Sequence, residues 1–199
     1  MHPILALVAA AQIAAAAAPA QTAQQIVLSG GCFWGMEAVF DDLKGVTHVV
    51  SGYAGGSKAT AHYEMVSTGL TGHAESVEIT FDPKIISLHE LLEVYFLVAH
   101  DPTQLNRQGP DVGPQYRSVI WYEDDEQKQI AQAYIKQLTA GHAFGAPIVT
   151  QVGPLTAFYP AEAYHQHFVA RNPDNPYVQY EDLPKLARLK QTFPNLTKN

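Results

Sequence analysis

Only one residue of the 199 is a cysteine, Cys32. That excludes an internal disulfide and leaves the thiol free and reactive, paired with another molecule, or buried as a small hydrophobe. Charge is scarce as well: 16% of residues are Asp, Glu, Lys or Arg, and none precedes Glu37. With 12 Lys and Arg against 19 Asp and Glu, the formal net charge is −7, and the cations form no cluster. Nucleic acid and anionic membrane surfaces are therefore poor partners. No repeat, charge block or Pro/Gly/Ser linker divides the chain, and its length suits one domain with a sizeable core. Paired metal ligands are missing too, since His165 and His167 stand two apart and cannot share a helix face. Gly55-Gly56-Ser57-Lys58 lacks the spacing of a phosphate loop.

Ile4 to Ala18 is an almost uninterrupted run of small apolar residues. It ends in Ala18-Pro19-Ala20, an A-x-A cleavage pattern followed by polar Gln21-Thr22. Residues 1–20 are thus expected to be a secretory signal peptide, although the leading Met1-His2-Pro3 carries no Lys or Arg. The competing reading, an Ala-rich helix packed on the domain, is weaker because the run has no polar face. The mature domain is expected to span 21–199 and to work in the periplasm or outside the cell.

Along that domain, Gln25 to Ser29 reads as a buried strand ended by Gly30-Gly31. From Cys32, the apolar residues Phe33, Met36, Val39, Phe40 and Leu43 recur at helical spacing up to Gly45. Val46–Tyr53 and Glu75–Phe81 read as strands. Ser87–Ala99 reads as a helix with Ser87 and Glu90 as a capping box. Asp101–Gln115 has no periodicity, and a loop of that length in a compact domain is usually functional. A strand at Arg117–Tyr122, a helix over Asp124–Ala140, a strand at Pro147–Val152 and a short helix over Pro160–Phe168 follow. Beyond Arg171, Pro173, Pro176, Pro184 and Pro194 predict an irregular tail wrapped on the surface, with a helical turn from Pro184. Strands and helices interleave without strict alternation, which favours an α+β two-layer domain.

The order strand, Gly30-Gly31, Cys32, helix places the thiol at a helix N-terminus, where free N–H groups and the helix dipole favour a thiolate. Phe33 and Trp34 follow at once, either as an apolar cup beside the thiol or as ordinary core.

Gly31-Cys32-Phe33-Trp34-Gly35 resembles the signature of the A-type peptide-methionine sulfoxide reductases. The resemblance continues through Thr71-Gly72-His73-Ala74-Glu75, Asp101-Pro102-Thr103-Gln104-Leu105-Asn106-Arg107-Gln108-Gly109, Asp111-Val112-Gly113 with Gln115-Tyr116-Arg117-Ser118, and Phe158-Tyr159-Pro160-Ala161-Glu162 with Tyr164-His165-Gln166. These segments keep the family's order across nearly the whole mature chain. The resemblance implies an α+β fold on a ferredoxin-like mixed-sheet core, with no metal or organic cofactor. It implies reduction of the S epimer of methionine sulfoxide, free or in proteins, by attack of Cys32. It assigns Glu75 as the acid, Tyr63 and Tyr116 as hydroxyl donors to the substrate oxygen, and Asp111 to the substrate end of the site. Phe33 and Trp34 then hold the S-methyl group.

One departure matters. Many members of that family carry a second, resolving cysteine, and here Ser67 stands where one often sits while the tail has none. A sulfenic acid on Cys32 must therefore be resolved by an external thiol, from a thioredoxin-like protein or a small molecule. The protein is otherwise expected to act as a monomer. The alternative chemistry is a cysteine hydrolase or acyltransferase with His73 or His100 as the base. Arg107 is expected to anchor its loop through an ion pair.

Overall fold

The computed structural model describes residues 23–198; the expected signal segment lies outside them. In chain order the elements are β1 (Gln24–Ser29), α1 (Phe33–Asp41), β2 (Val46–Ala54), α2 (Tyr63–Val66), β3 (Ala74–Phe81) and α3 (Leu88–Val94). Then come β4 (Arg107–Gln108), β5 (Asp111–Val112), β6 (Val119–Tyr122), α4 (Asp125–Ala140), β7 (Gln151–Pro154), β8 (Phe158–Pro160), α5 (Phe168–Arg171) and α6 (Leu183–Thr192). Six strands form one mixed sheet in the order β7-β6-β1-β3-β2-β8, and β4 and β5 form a separate small hairpin. Every pairing in the main sheet is antiparallel except β6 with β7.

Period-2 alternation in β3 determines where the site can be. Glu75, Val77, Ile79 and Phe81 point to one face, and Val77, Ile79 and Phe81 join the main core with Ile26, Leu28 and Val49. That core is closed by α1, through Phe33, Met36, Val39 and Phe40, and by α3, through Leu88, Leu91 and Leu92. The opposite face carries a smaller cluster of Val27, Ala54, Ala74, Val119 and Trp121. Glu75 is thus the carboxylate at the end of an apolar row, on the face against which α1 packs.

The caps follow the residue types. Ser87 accepts from the Glu90 N–H and Glu90 returns to the Ser87 N–H, the predicted capping box. Asp124 caps α4 by accepting from Gln127. After α3 the chain continues as a π-helical stretch, Tyr95–Ala99, before extended His100.

Three segments differ from expectation. Pro160–Phe168 is not a helix: Phe158–Pro160 pairs with β2 as an edge strand, and α5 begins only at Phe168. The polar residues between are engaged elsewhere, Glu162 with Tyr53 and Tyr63, and Gln166 with the backbone of Ser51. The strand placed at Pro147–Val152 begins at Gln151. The tail is more regular than its prolines suggest: a π-helical turn, Val178–Asp182, runs directly into α6. Pro184 fits there because the first helical turn needs no N–H from it.

The long loop after Asp101 is held by its own side chains. Asp101 accepts from the N–H and hydroxyl of Thr103 and from Gln104, and Gln108 brackets Asp101 with two bonds. Arg107 bonds the Gly109 carbonyl rather than a carboxylate.

Candidate active site

Cys32 is the N-cap of α1. Gly31 before it adopts φ +99°, and a Cβ there would stand 2.6 Å from the Gln108 side chain, so both the turn and the close approach need glycine. The thiol is 8% exposed. The expected depression of its pKa is not what the surroundings produce. Burial pushes the thiol well up, and the charges of Glu75 and Asp182 push it further, while the Trp34 N–H and Lys185 act in the opposite direction. The helix N-terminus is partly spent on another group, because the Phe33 N–H donates to Glu75 Oε2 at 3.1 Å. Desolvation outweighs what remains of the dipole.

Glu75 is 2% exposed. Burial raises its carboxyl to about 8; the Phe33 N–H opposes this and the charge of Asp111 adds to it. Near neutrality the site thus holds a protonated carboxyl beside a protonated thiol.

The remaining predicted residues converge on this pair. Tyr63 opens α2, with its N–H on Glu162 Oε1 at 3.0 Å. Tyr116 ends the short turn Pro114–Tyr116. Both phenols are raised, first by burial and then by the charges of Glu75 and Cys32, so both lie within electrostatic reach of those two groups. Asp111, on β5, is half-buried and raised by burial, and it accepts a hydrogen bond from the Tyr177 hydroxyl. Phe33 is packed beneath the site against Tyr53 and His165, with ring centroids 5.8 and 4.9 Å away. Trp34 is partly exposed. It stacks on Phe168 at 3.6 Å, meets Tyr177 edge-on, and donates from Nε1 to His165 Nδ1 at 3.0 Å.

Several participants carry no local signal in the sequence. Tyr177, Asp182 and Lys185 come from the proline-rich tail, and Phe168 from the end of a segment whose pattern predicts a helix. His165 is buried and neutral, its pKa lowered by burial. Because its Nδ1 accepts from Trp34, its Nε2 carries the hydrogen, and this donor has no partner among the described residues.

A histidine base for Cys32 finds no support. His73 lies between the Gly56 N–H and the Ser57 carbonyl. His100 is held by the Tyr95 carbonyl and the Ser118 hydroxyl, and burial lowers it to about 4. Among the described residues, no group of three or more His, Cys, Asp or Glu is arranged to hold a metal ion.

Residues 24–197 match the family model described as peptide methionine sulfoxide reductase. A peptide methionine sulfoxide reductase of Mesorhizobium japonicum, MsrA 2, is 59% identical over 85% of this chain and 87% of that protein. The MsrA of Thermus thermophilus is 48% identical over 85% and 94% respectively. Among solved structures, the chain resembles Mxr1 from Saccharomyces cerevisiae in its reduced form, with TM-score 0.70, 34% identity, and coverage of 77% of this chain and 87% of that one. It also resembles the methionine sulfoxide reductase A of Corynebacterium diphtheriae, with TM-score 0.68, 35% identity, and coverage of 79% and 78%.

Proposed function

The chain belongs to the peptide methionine sulfoxide reductase family, and from that premise we propose how it reduces its substrate and recovers. The S epimer of methionine sulfoxide, free or in a protein, enters beside Trp34 with its sulfur facing Cys32 and its oxygen facing Glu75, Tyr63 and Tyr116. The Cys32 sulfur attacks the sulfoxide sulfur. Glu75 gives its proton to the oxygen and takes the thiol proton in exchange, which avoids charging either group in a buried site. The oxygen passes to Cys32 as a hydroxyl. Methionine leaves reduced by one electron pair, and Cys32 is left as a sulfenic acid.

The observation that carries this reading is the Glu75 carboxyl, buried to 2% exposure and bonded to the first N–H of the helix that Cys32 caps. A carboxyl kept protonated near neutrality can deliver a proton to a poor leaving oxygen, which a solvated carboxylate cannot. Tyr63 and Tyr116, both raised in pKa, stay protonated as donors. Asp111, tied to Tyr177, orders the substrate end of the site.

Since Cys32 is the sole thiol, resolution is intermolecular. An external thiol attacks the sulfenic sulfur, releasing water and leaving a mixed disulfide. A second thiol then releases Cys32. The donor is a thioredoxin-like protein or a small thiol, and the working unit is a monomer. The apolar run before Ala20 supports export to the periplasm or beyond. For the fold, the order β6-β1-β3-β2 within the sheet, with crossovers through α1 and α3, supports a ferredoxin-like core.

The test is turnover of the resolved S epimer with excess dithiol. Folded protein that releases no methionine would overturn the reading.

A further inference from the structure

Asp182 sits where the π-helical turn Val178–Asp182 meets α6, and it is 0% exposed. A carboxyl so placed is normally hydrogen-bonded. Here neither oxygen has a hydrogen-bond partner among the described residues. Its countercharge is Lys185 Nζ at 3.6 Å, one helical turn further on.

The ion pair lies directly on α1. A Cβ at Gly35 would stand 2.2 Å from Asp182 Oδ1 and 2.9 Å from Lys185 Nζ, so the two charged groups fill the space that a side chain at position 35 would take. Gly35 is in the first turn of α1, three residues along from its N-cap Cys32. The pair therefore packs on the first turn of the helix that Cys32 caps. Lys185 retains 17% of its side-chain exposure and lines a groove with Gln108, Glu181 and Arg188, whereas Asp182 has no solvent contact.

We propose that the Asp182–Lys185 pair is a positioning device for charge: Lys185 offsets the Asp182 carboxylate beneath α1 and so sets how readily the Cys32 thiol ionises. A purely structural pair in this place would gain little, since burying two charges costs roughly what their attraction returns. A buried carboxylate whose one partner is Lys185, packed on the helix that Cys32 caps, is accounted for by the tuning role. The opposite signs of the two groups' effects on Cys32 agree with it.

Other groups share the field and bound the effect. Cys32 is faced by Glu75 from β3, by the phenols of Tyr63, Tyr116 and Tyr177, and by this pair. Asp182 is faced by Lys185 and Glu181 from its own segment, by Asp111 from β5 and by Tyr177. The inference rests on the reading of Cys32 as the reacting group, but its test does not need turnover.

With one cysteine in the chain, alkylation by iodoacetamide across a pH series, read by mass spectrometry on the Cys32-containing peptide, reports that thiol apart from the amines that react in alkali. Lys185→Gln is expected to raise the pH midpoint of alkylation by roughly one pH unit, and Asp182→Asn to lower it by a similar amount. The double variant should return close to the wild type. Lys185→Arg keeps the cation and should keep the midpoint, and it carries the test with Lys185→Gln if Asp182→Asn does not fold. Arg188→Gln, one turn along the same groove, should change nothing. Midpoints that stay fixed, or that move in the same direction for Lys185→Gln and Asp182→Asn, would overturn the proposal. Opposite shifts in a protein that reduces no methionine sulfoxide would instead uphold the pair's effect on the thiol and reject the functional reading.

Discussion

Two regions meet at Cys32, and they are held in different ways. Cys32 and Glu75 stand on the sheet side, at the end of β1 and the start of β3. These strands pair with each other, and their inward residues belong to the main core. His165, Phe168, Tyr177, Asp182 and Lys185 stand on the other side, in a C-terminal segment that runs through turns, the four-residue α5 and a π-helical turn into α6. Side-chain contacts hold that segment in place: Trp34 on Phe168, Tyr177 on Asp111, and the His167 N–H on Glu37. The difference suggests a division of labour. In the proposed mechanism the bond-making groups sit at the ends of paired strands, while the groups that shape the pocket and its charge come from the C-terminal strap.

Breaking the sheet side should have the largest effects. Cys32→Ser should abolish turnover, and Glu75→Gln should slow the first step by about 10²–10⁴-fold with little change in substrate affinity. Single-turnover release of methionine measures both. The pH profile sharpens the same point. In the proposed mechanism Glu75 acts in its protonated form, and burial raises its carboxyl to about 8, so wild-type activity should fall as pH rises through that value. Glu75→Gln should lose that descending limb.

Stability gives the same carboxyl an independent reading. Folding raises Glu75 above its ordinary value, so its favourable contribution is fully present in acid and is lost as pH rises towards about 8. Glutamine has no proton to lose. The melting temperature of Glu75→Gln relative to wild type should therefore climb between about pH 5 and about pH 9.

Breaking the strap should cost less and appear in affinity. Phe168→Ala removes the stack on Trp34, worth about 0.5–1.5 kcal/mol, and should raise KM by roughly 3–10-fold with kcat nearly kept. Tyr177→Phe removes one hydrogen bond to Asp111 and should cost a few-fold in kcat/KM. A larger fall in kcat than in affinity for either variant would erase the contrast between the two sides.

The same contrast explains what could be read from the sequence. Sheet-side features are local. The Gly30-Gly31-Cys32 turn, the alternation of β3 and the Ser87–Glu90 capping box lie within a few residues of each other, and local chemistry fixes them. The strap depends on distant pairs: Trp34 meets His165 across 131 positions, and Tyr177 meets Asp111 across 66. No periodicity announces such contacts. Prolines in the tail suggested irregular chain, although Pro184 sits in the first turn of α6. The place of the thiol at a helix N-terminus is legible in the sequence, but its burial and the capture of the first N–H by Glu75 are not.

In the proposed cycle Cys32 completes the first half alone and then waits for another molecule. Mixing the chain with excess S epimer in the absence of any thiol tests it, with methionine quantified and the protein examined by intact mass. One methionine released per chain, one oxygen atom gained at Cys32, and renewed turnover once dithiol is added are the expected results. Continued release of methionine without thiol, or release with Cys32 unmodified, would contradict it.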